Sequence, residues 1–145
     1  MLFIEDNKKI SVVVLGYQFP HANPNDAFED ANWLDCKFDY QEGEWHDSRI
    51  DACLISYEFE GIITALSDII AGTSSSYHSD FLEPYLEIKI NKANGKIKFD
   101  IQFEYDSRDD GKFWSVSSLL EVEEAIGILE EMKEFNRLYP PRLLP

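Results

Sequence analysis

Between Leu86 and Tyr105 apolar and polar residues alternate almost without interruption, and the one break falls at Asn94-Gly95. Leu86, Ile88 and Ile90 lead into that turn, and Ile97, Phe99, Ile101, Phe103 and Tyr105 lead out of it. A period of two sends successive side chains to opposite faces of a strand, and Asn-Gly supplies the positive φ angles of a two-residue hairpin. A helix cannot use this pattern. The segment predicts an antiparallel hairpin with one face to bury, so the rest of the chain has to cover that face.

The remainder reads as more strands and two helices. Short strands are expected over 2–5 and 10–17, joined by the polar link Asp6-Asn7-Lys8-Lys9, and Pro20 to Ala31 has no periodicity and reads as a loop. From Trp33, Leu34, Cys36, Phe38 and Tyr40 alternate with Asp35, Lys37 and Asp39; Glu42-Gly43 turns, and residues 44–50 return as a polar edge strand. A helix is expected over about 56–71, with Phe59, Ile62, Ile63, Leu66, Ile69 and Ile70 on one face and Gly72 as its stop. Residues 73–80 read as flexible, Asp109-Asp110-Gly111 as a turn, and 112–116 as a short strand. Ser118-x-x-Glu121 has the form of a capping box opening a second helix, which would turn Leu119, Val122, Ile126, Leu129 and Met132 inward. The fold class predicted is α+β, as one domain over 1–145: a mostly antiparallel sheet of six to seven strands in the order ββββαβββα. Both amphipathic helices are expected on one face of that sheet.

With 145 residues, 44% hydrophobic and 14% aromatic, the chain can bury a core. Its apolar runs are too short to span a bilayer, and Met1-Leu2-Phe3-Ile4-Glu5-Asp6 lacks the order of a signal peptide, so a cytoplasmic protein is expected. Cys36 and Cys53 are read as core thiols, which that compartment allows.

Charge narrows the partners. The net charge is −15, with −9 concentrated in residues 21–60 and −8 in 99–134. Such a field repels nucleic acid and anionic membranes and attracts basic proteins.

Catalytic patterns are missing. His21, His46 and His78 share no ligand spacing, no glycine-rich phosphate loop or GxSxG elbow occurs, and Asp106-x-Arg108-x-Asp110-Gly111 is no calcium loop. Arg108 stands where a ligand oxygen is needed, and Ser117 where the bidentate Glu belongs. No catalytic residue, metal or cofactor is expected, and the chain is read as a non-enzyme.

The polar positions of the two best strands suggest a binding surface instead. Asp35, Asp39, Asp100 and Glu104 would share an open sheet face if those strands are neighbours. Asp26, Glu29 and Asp30 in the loop, and Glu42, Glu44 and Asp47 around the turn, would form its rim, with Trp45 as an aromatic anchor.

Five short segments carry a resemblance: Leu15-Gly16-Tyr17-Gln18-Phe19, Asp30-Ala31-Asn32-Trp33-Leu34, Trp45, Phe81-Leu82-Glu83-Pro84 and Pro140-Pro141-Arg142. Together they resemble the WapI-type immunity proteins, bacterial cytoplasmic proteins that protect a cell from the toxin domain of a contact-dependent, cell-wall-associated protein. The resemblance implies a non-enzymatic inhibitor whose partner is a cognate toxin domain, often an RNase. Separately, the apolar tail residues Leu143-Leu144 and the edge strands permit a homodimer without requiring one, so monomer and homodimer both stay open. A generic acidic interaction or regulatory module would have the same composition. A deep pocket with converging polar groups would instead point to an enzyme or ligand binder.

Overall fold

The computed structural model describes residues 1–106, 108 and 111–142. Eight strands and two α-helices follow in the order β1 (Leu2–Glu5), β2 (Lys8–Tyr17), β3 (Trp33–Glu42), β4 (Trp45–Ile55), α1 (Ser56–Ala71), β5 (Ser76–His78), β6 (Leu86–Ala93), β7 (Lys96–Asp106), β8 (Lys112–Leu120) and α2 (Val122–Leu138). A single turn of 3-10 helix, Asp30–Asn32, closes the long loop before β3.

The α+β class holds, but the expected single sheet is two. Strands β1-β2-β3-β4 and β5-β6-β7-β8 form separate four-stranded antiparallel meanders. Alternation tells which side chains share a face; it does not tell which strands share a sheet. Each meander has an apolar face, and each buries it largely against the other. Phe3 lies 4.9 Å from Phe99, Phe38 stacks on Phe103 at 4.0 Å, and Tyr40 stacks on Trp114 at 5.3 Å.

The helices complete this core rather than cover one sheet. Phe59, Ile62, Leu66 and Ile69 of α1 join Ala125, Ile128, Leu129 and Met132 of α2 in the same buried cluster as both sheets. At the β1–β8 edge side chains bridge the sheets: Ile4 N–H donates to Ser118 Oγ (3.2 Å), and Ser117 N–H donates to Glu5 Oε1 (2.8 Å). The void left inside is about 30 Å³ and lined by apolar side chains, far below the size of a small-molecule pocket.

Several local expectations change. Ser118 is not a helix cap: it lies buried in β8, opposite Phe99. The alternation of β8 runs on through Leu120, and α2 starts only after Glu121, whose N–H is accepted by Glu124 (3.1 Å). The cap moves three residues, from Ser118 to Glu121, and the helix buries Ala125, Ile128, Leu129 and Met132. Leu119 is left on the outer face of β8 at 55% exposure, Ile126 on the outer side of α2 at 41%, and Val122 is half-buried. Strand β4 continues five residues past the expected end, β2 begins at Lys8, and the segment expected to be flexible contains β5. Helix α1 spans the expected residues, and Gly72 stops it with φ +83. Asp109 and Asp110 of the expected turn, and Leu143 and Leu144 of the tail, lie outside the described residues.

Candidate functional site

Two sheets packed face to face send their polar faces in opposite directions. Asp35 and Asp39 leave β3 on the outside of the first sheet, and Asp100 and Glu104 leave β7 on the outside of the second. The four do not make one plate. On the second sheet Asp100 accepts from Ser117 Oγ at 2.6 Å, and Lys98 is 3.7 Å away, so its charge is already partnered.

The first sheet divides again along its length. Glu42, Glu44, Trp45 and Asp47 sit at the β3–β4 turn. There Asp47 pairs with Arg49 at 2.9 Å, and Trp45 stays 48% exposed beside Tyr40 and Trp114. Asp39, nearer the middle, holds Ser48 Oγ and lies 3.8 Å from Lys37. The opposite end, where β3 begins, differs in kind.

There Asp30, Asp35, Asp51 and Glu83 line an open cleft of about 470 Å³, with Trp33, Ile50 and Tyr85 as its apolar wall. Asp35 comes from β3, Asp51 from β4, Asp30 from the loop before β3 and Glu83 from the loop before β6. Among the described residues no cation lies within ion-pair distance of any of the four, whereas Asp39, Asp47 and Asp100 each have one. Burial pushes the Asp51 carboxyl above the ordinary Asp range, and the negative charges of Glu83 and Asp35 push it the same way. A second open hollow, which shares Gln18 and Asp30 with the cleft, lies against the acidic loop and is lined by Phe19, His21 and Asp26; Glu29 is exposed in the same loop.

This arrangement holds unneutralised negative charge beside half-buried Trp33 and Tyr85 and exposed Ile50. That suits a lysine or arginine whose stem can lie on Trp33 and Ile50 while its head reaches several carboxylates. No group of three or more His, Cys, Asp or Glu among the described residues is placed to hold a metal ion. Both cysteines are free and buried. Its hydrogen-bonding neighbour Cys36, and then burial, hold the Cys53 thiol well above its ordinary range, which makes it a poor nucleophile.

Asp51 and Glu83 escaped the sequence reading for different reasons. Asp51 lies beyond the expected end of β4, where a register shift opposite Leu34 and Cys36 breaks the alternation. Glu83 lies in an irregular segment that no periodicity places. The one local hint was Asp51 itself, an acid following the exposed apolar Ile50.

The family model of the WapI-like immunity proteins matches residues 1–140. The chain belongs to that family. Among curated proteins and among solved structures, none matches it significantly. In this WapI-like chain, three of the segments that carry the sequence resemblance meet in space. Leu15 to Phe19, Asp30 to Leu34 and Pro140 to Arg142 converge on the buried side chain of Asn32 and the ring of Tyr17. Glu83, from a fourth, lines the cleft beside them. No helix among the described residues is long and apolar enough to cross a membrane.

Proposed function

We propose that this chain is an immunity protein that binds and neutralises a cognate bacterial toxin domain in the cytoplasm, without catalysing a reaction. The observation that carries the reading is the family match over residues 1–140. The proposed contact surface is the cleft of Asp30, Asp35, Asp51 and Glu83 with the adjoining loop acids Asp26 and Glu29. The other charged positions named from sequence (Asp39, Asp100, Glu104, Glu42, Glu44, Asp47) and Trp45 are proposed only as outlying contributors.

A basic partner is supported by the net charge of −15 and by the unpaired carboxylates of the cleft. A nuclease has the required character, because the groove that grips a phosphate backbone is lined with Lys and Arg. Placing those cations against the cleft would relieve carboxylate repulsion in one protein and occlude the groove of the other.

The test is calorimetric titration of this chain with the toxin domain encoded beside it, at low and high salt. Tight binding that weakens with salt is expected, and Asp35→Asn with Asp51→Asn and Glu83→Gln should weaken it at least about tenfold. Tight binding indifferent to the triple substitution would keep the function and move the surface. Absence of binding would remove the immunity reading and leave an acidic interaction module.

A further inference from the structure

The loop from Gln18 to Asn32 that carries Asp26, Glu29 and Asp30 has little regular structure of its own, yet both its ends are gripped from outside. Its base is one backbone bond, Gln18 N–H to the Trp33 carbonyl (2.8 Å). Above that, a residue more than a hundred positions away closes it.

The Arg142 guanidinium donates to the carbonyls of Phe19 (2.9 Å) and Pro20 (2.8 Å) at the start of the loop, and to that of Ala31 (2.5 Å) at its end. It lies over the Tyr17 ring, 3.9 Å from the centroid. Its own backbone is paired to the Asn32 side chain, N–H to Oδ1 at 2.7 Å and carbonyl to Nδ2 at 3.0 Å. Asn32 is fully buried, and its two remaining bonds go to Ser56 Oγ (2.8 Å) and the Phe28 carbonyl (2.9 Å).

We propose that residues 139–142 act as a clasp, with Arg142 as the positioning residue that holds the acidic loop in its partner-binding shape. One planar, permanently charged group spans three carbonyls that belong to the two ends of the same loop. Lysine, a single point of charge, cannot reproduce that fork. The clasp sets where Asp26, Glu29 and Asp30 stand relative to Asp35 and Asp51, although Arg142 itself need not touch the partner. The rest of the strap fits this role: Tyr17 Oη donates to the Pro140 carbonyl, and the Tyr139 ring packs edge-on against Tyr17. Tyr139 also lies over Gly16, where a Cβ would stand 3.5 Å from the ring.

The inference rests on the immunity reading for the partner, but its first readout does not. Hydrogen exchange is measured on the whole chain and on Arg142→Ala, with Arg142→Lys as a second variant should the first lose its cooperative melt. Exchange at Ala27, Ala31 and Asn32, whose N–H groups are bonded within the loop, should accelerate about tenfold or more, while the amides of β6 and β7 keep their rates. Lysine should not restore protection. Affinity for the toxin domain should fall with the loop's protection. Unchanged loop exchange, or uniform acceleration throughout the chain, overturns the clasp. Faster loop exchange with unaltered affinity overturns its role in positioning the binding surface. If the unsubstituted chain binds no toxin while the loop still responds, the clasp stands as a device that orders the loop and the immunity reading fails.

Discussion

At the scale of single residues, the cleft works against the fold that holds it. The Asp51 carboxyl is raised by burial first and by Glu83 and Asp35 second. For a group raised on folding, the unfavourable contribution is absent below its unfolded value. It grows as the pH rises through that range and is complete above the raised folded value. Asp51→Asn should therefore raise the Tm of the free protein at neutral pH, modestly, because solvent screens the half-exposed carboxyl. The gain should vanish in acid below the ordinary Asp value of 3.8. Thermal melts of both proteins from pH 3 to 8 measure it, and a constant difference across that range would contradict the electrostatic account. Cys53 gives a second residue-level expectation. A buried thiol held protonated should not react with a thiol reagent in the native protein at pH 8, and should react fully once the chain is unfolded.

At the scale of elements, the hairpin of β6 and β7 forms where the alternation placed it, and its turn has the geometry that Asn-Gly allows. Asn94 has φ +51 and Gly95 φ +79. Gly95→Ala keeps every contact, since nothing lies near the added methyl, but strains the backbone. It should cost about 1 kcal/mol in urea unfolding, and a cost near zero would mean the turn rearranges freely. Ser118 teaches the opposite lesson. Its spacing to Glu121 fits a capping box, yet the same residues also complete the alternation of β8. The strand wins because Ser118 is then buried opposite Phe99 with its hydroxyl on the Ile4 N–H. Ser118→Ala should cost about 1 kcal/mol by orphaning that donor, with helix content by circular dichroism unchanged. Loss of helix would restore the capping role.

At the scale of the whole molecule, two meanders share one core, so they should unfold together. Phe38→Ala removes a ring stacked 4.0 Å from Phe103 and should cost about 3–5 kcal/mol while leaving a single transition in calorimetry. Two resolved transitions would mean the sheets are independent. Net charge should make salt act in opposite directions on stability and on binding. Screening of self-repulsion should raise the Tm of the free chain, and screening of attraction should weaken its hold on a basic partner. The sequence by itself determined the presence of seven of the eight strands, the extent of α1, the turns at Gly43 and Gly95 and the sign of the field, because periodicity, turn chemistry and charge are properties of neighbouring residues. It also identified Asp30 and Asp35 as binding candidates. Only the tertiary structure decided that the strands divide into two sheets, which sends Asp100 and Glu104 away from Asp35. The same packing gathers Asp51 and Glu83 into the cleft and brings Arg142 back to close the loop of Asp26. Those relations join residues tens of positions apart, and what selects them is the burial of two apolar faces against each other, which no local pattern encodes.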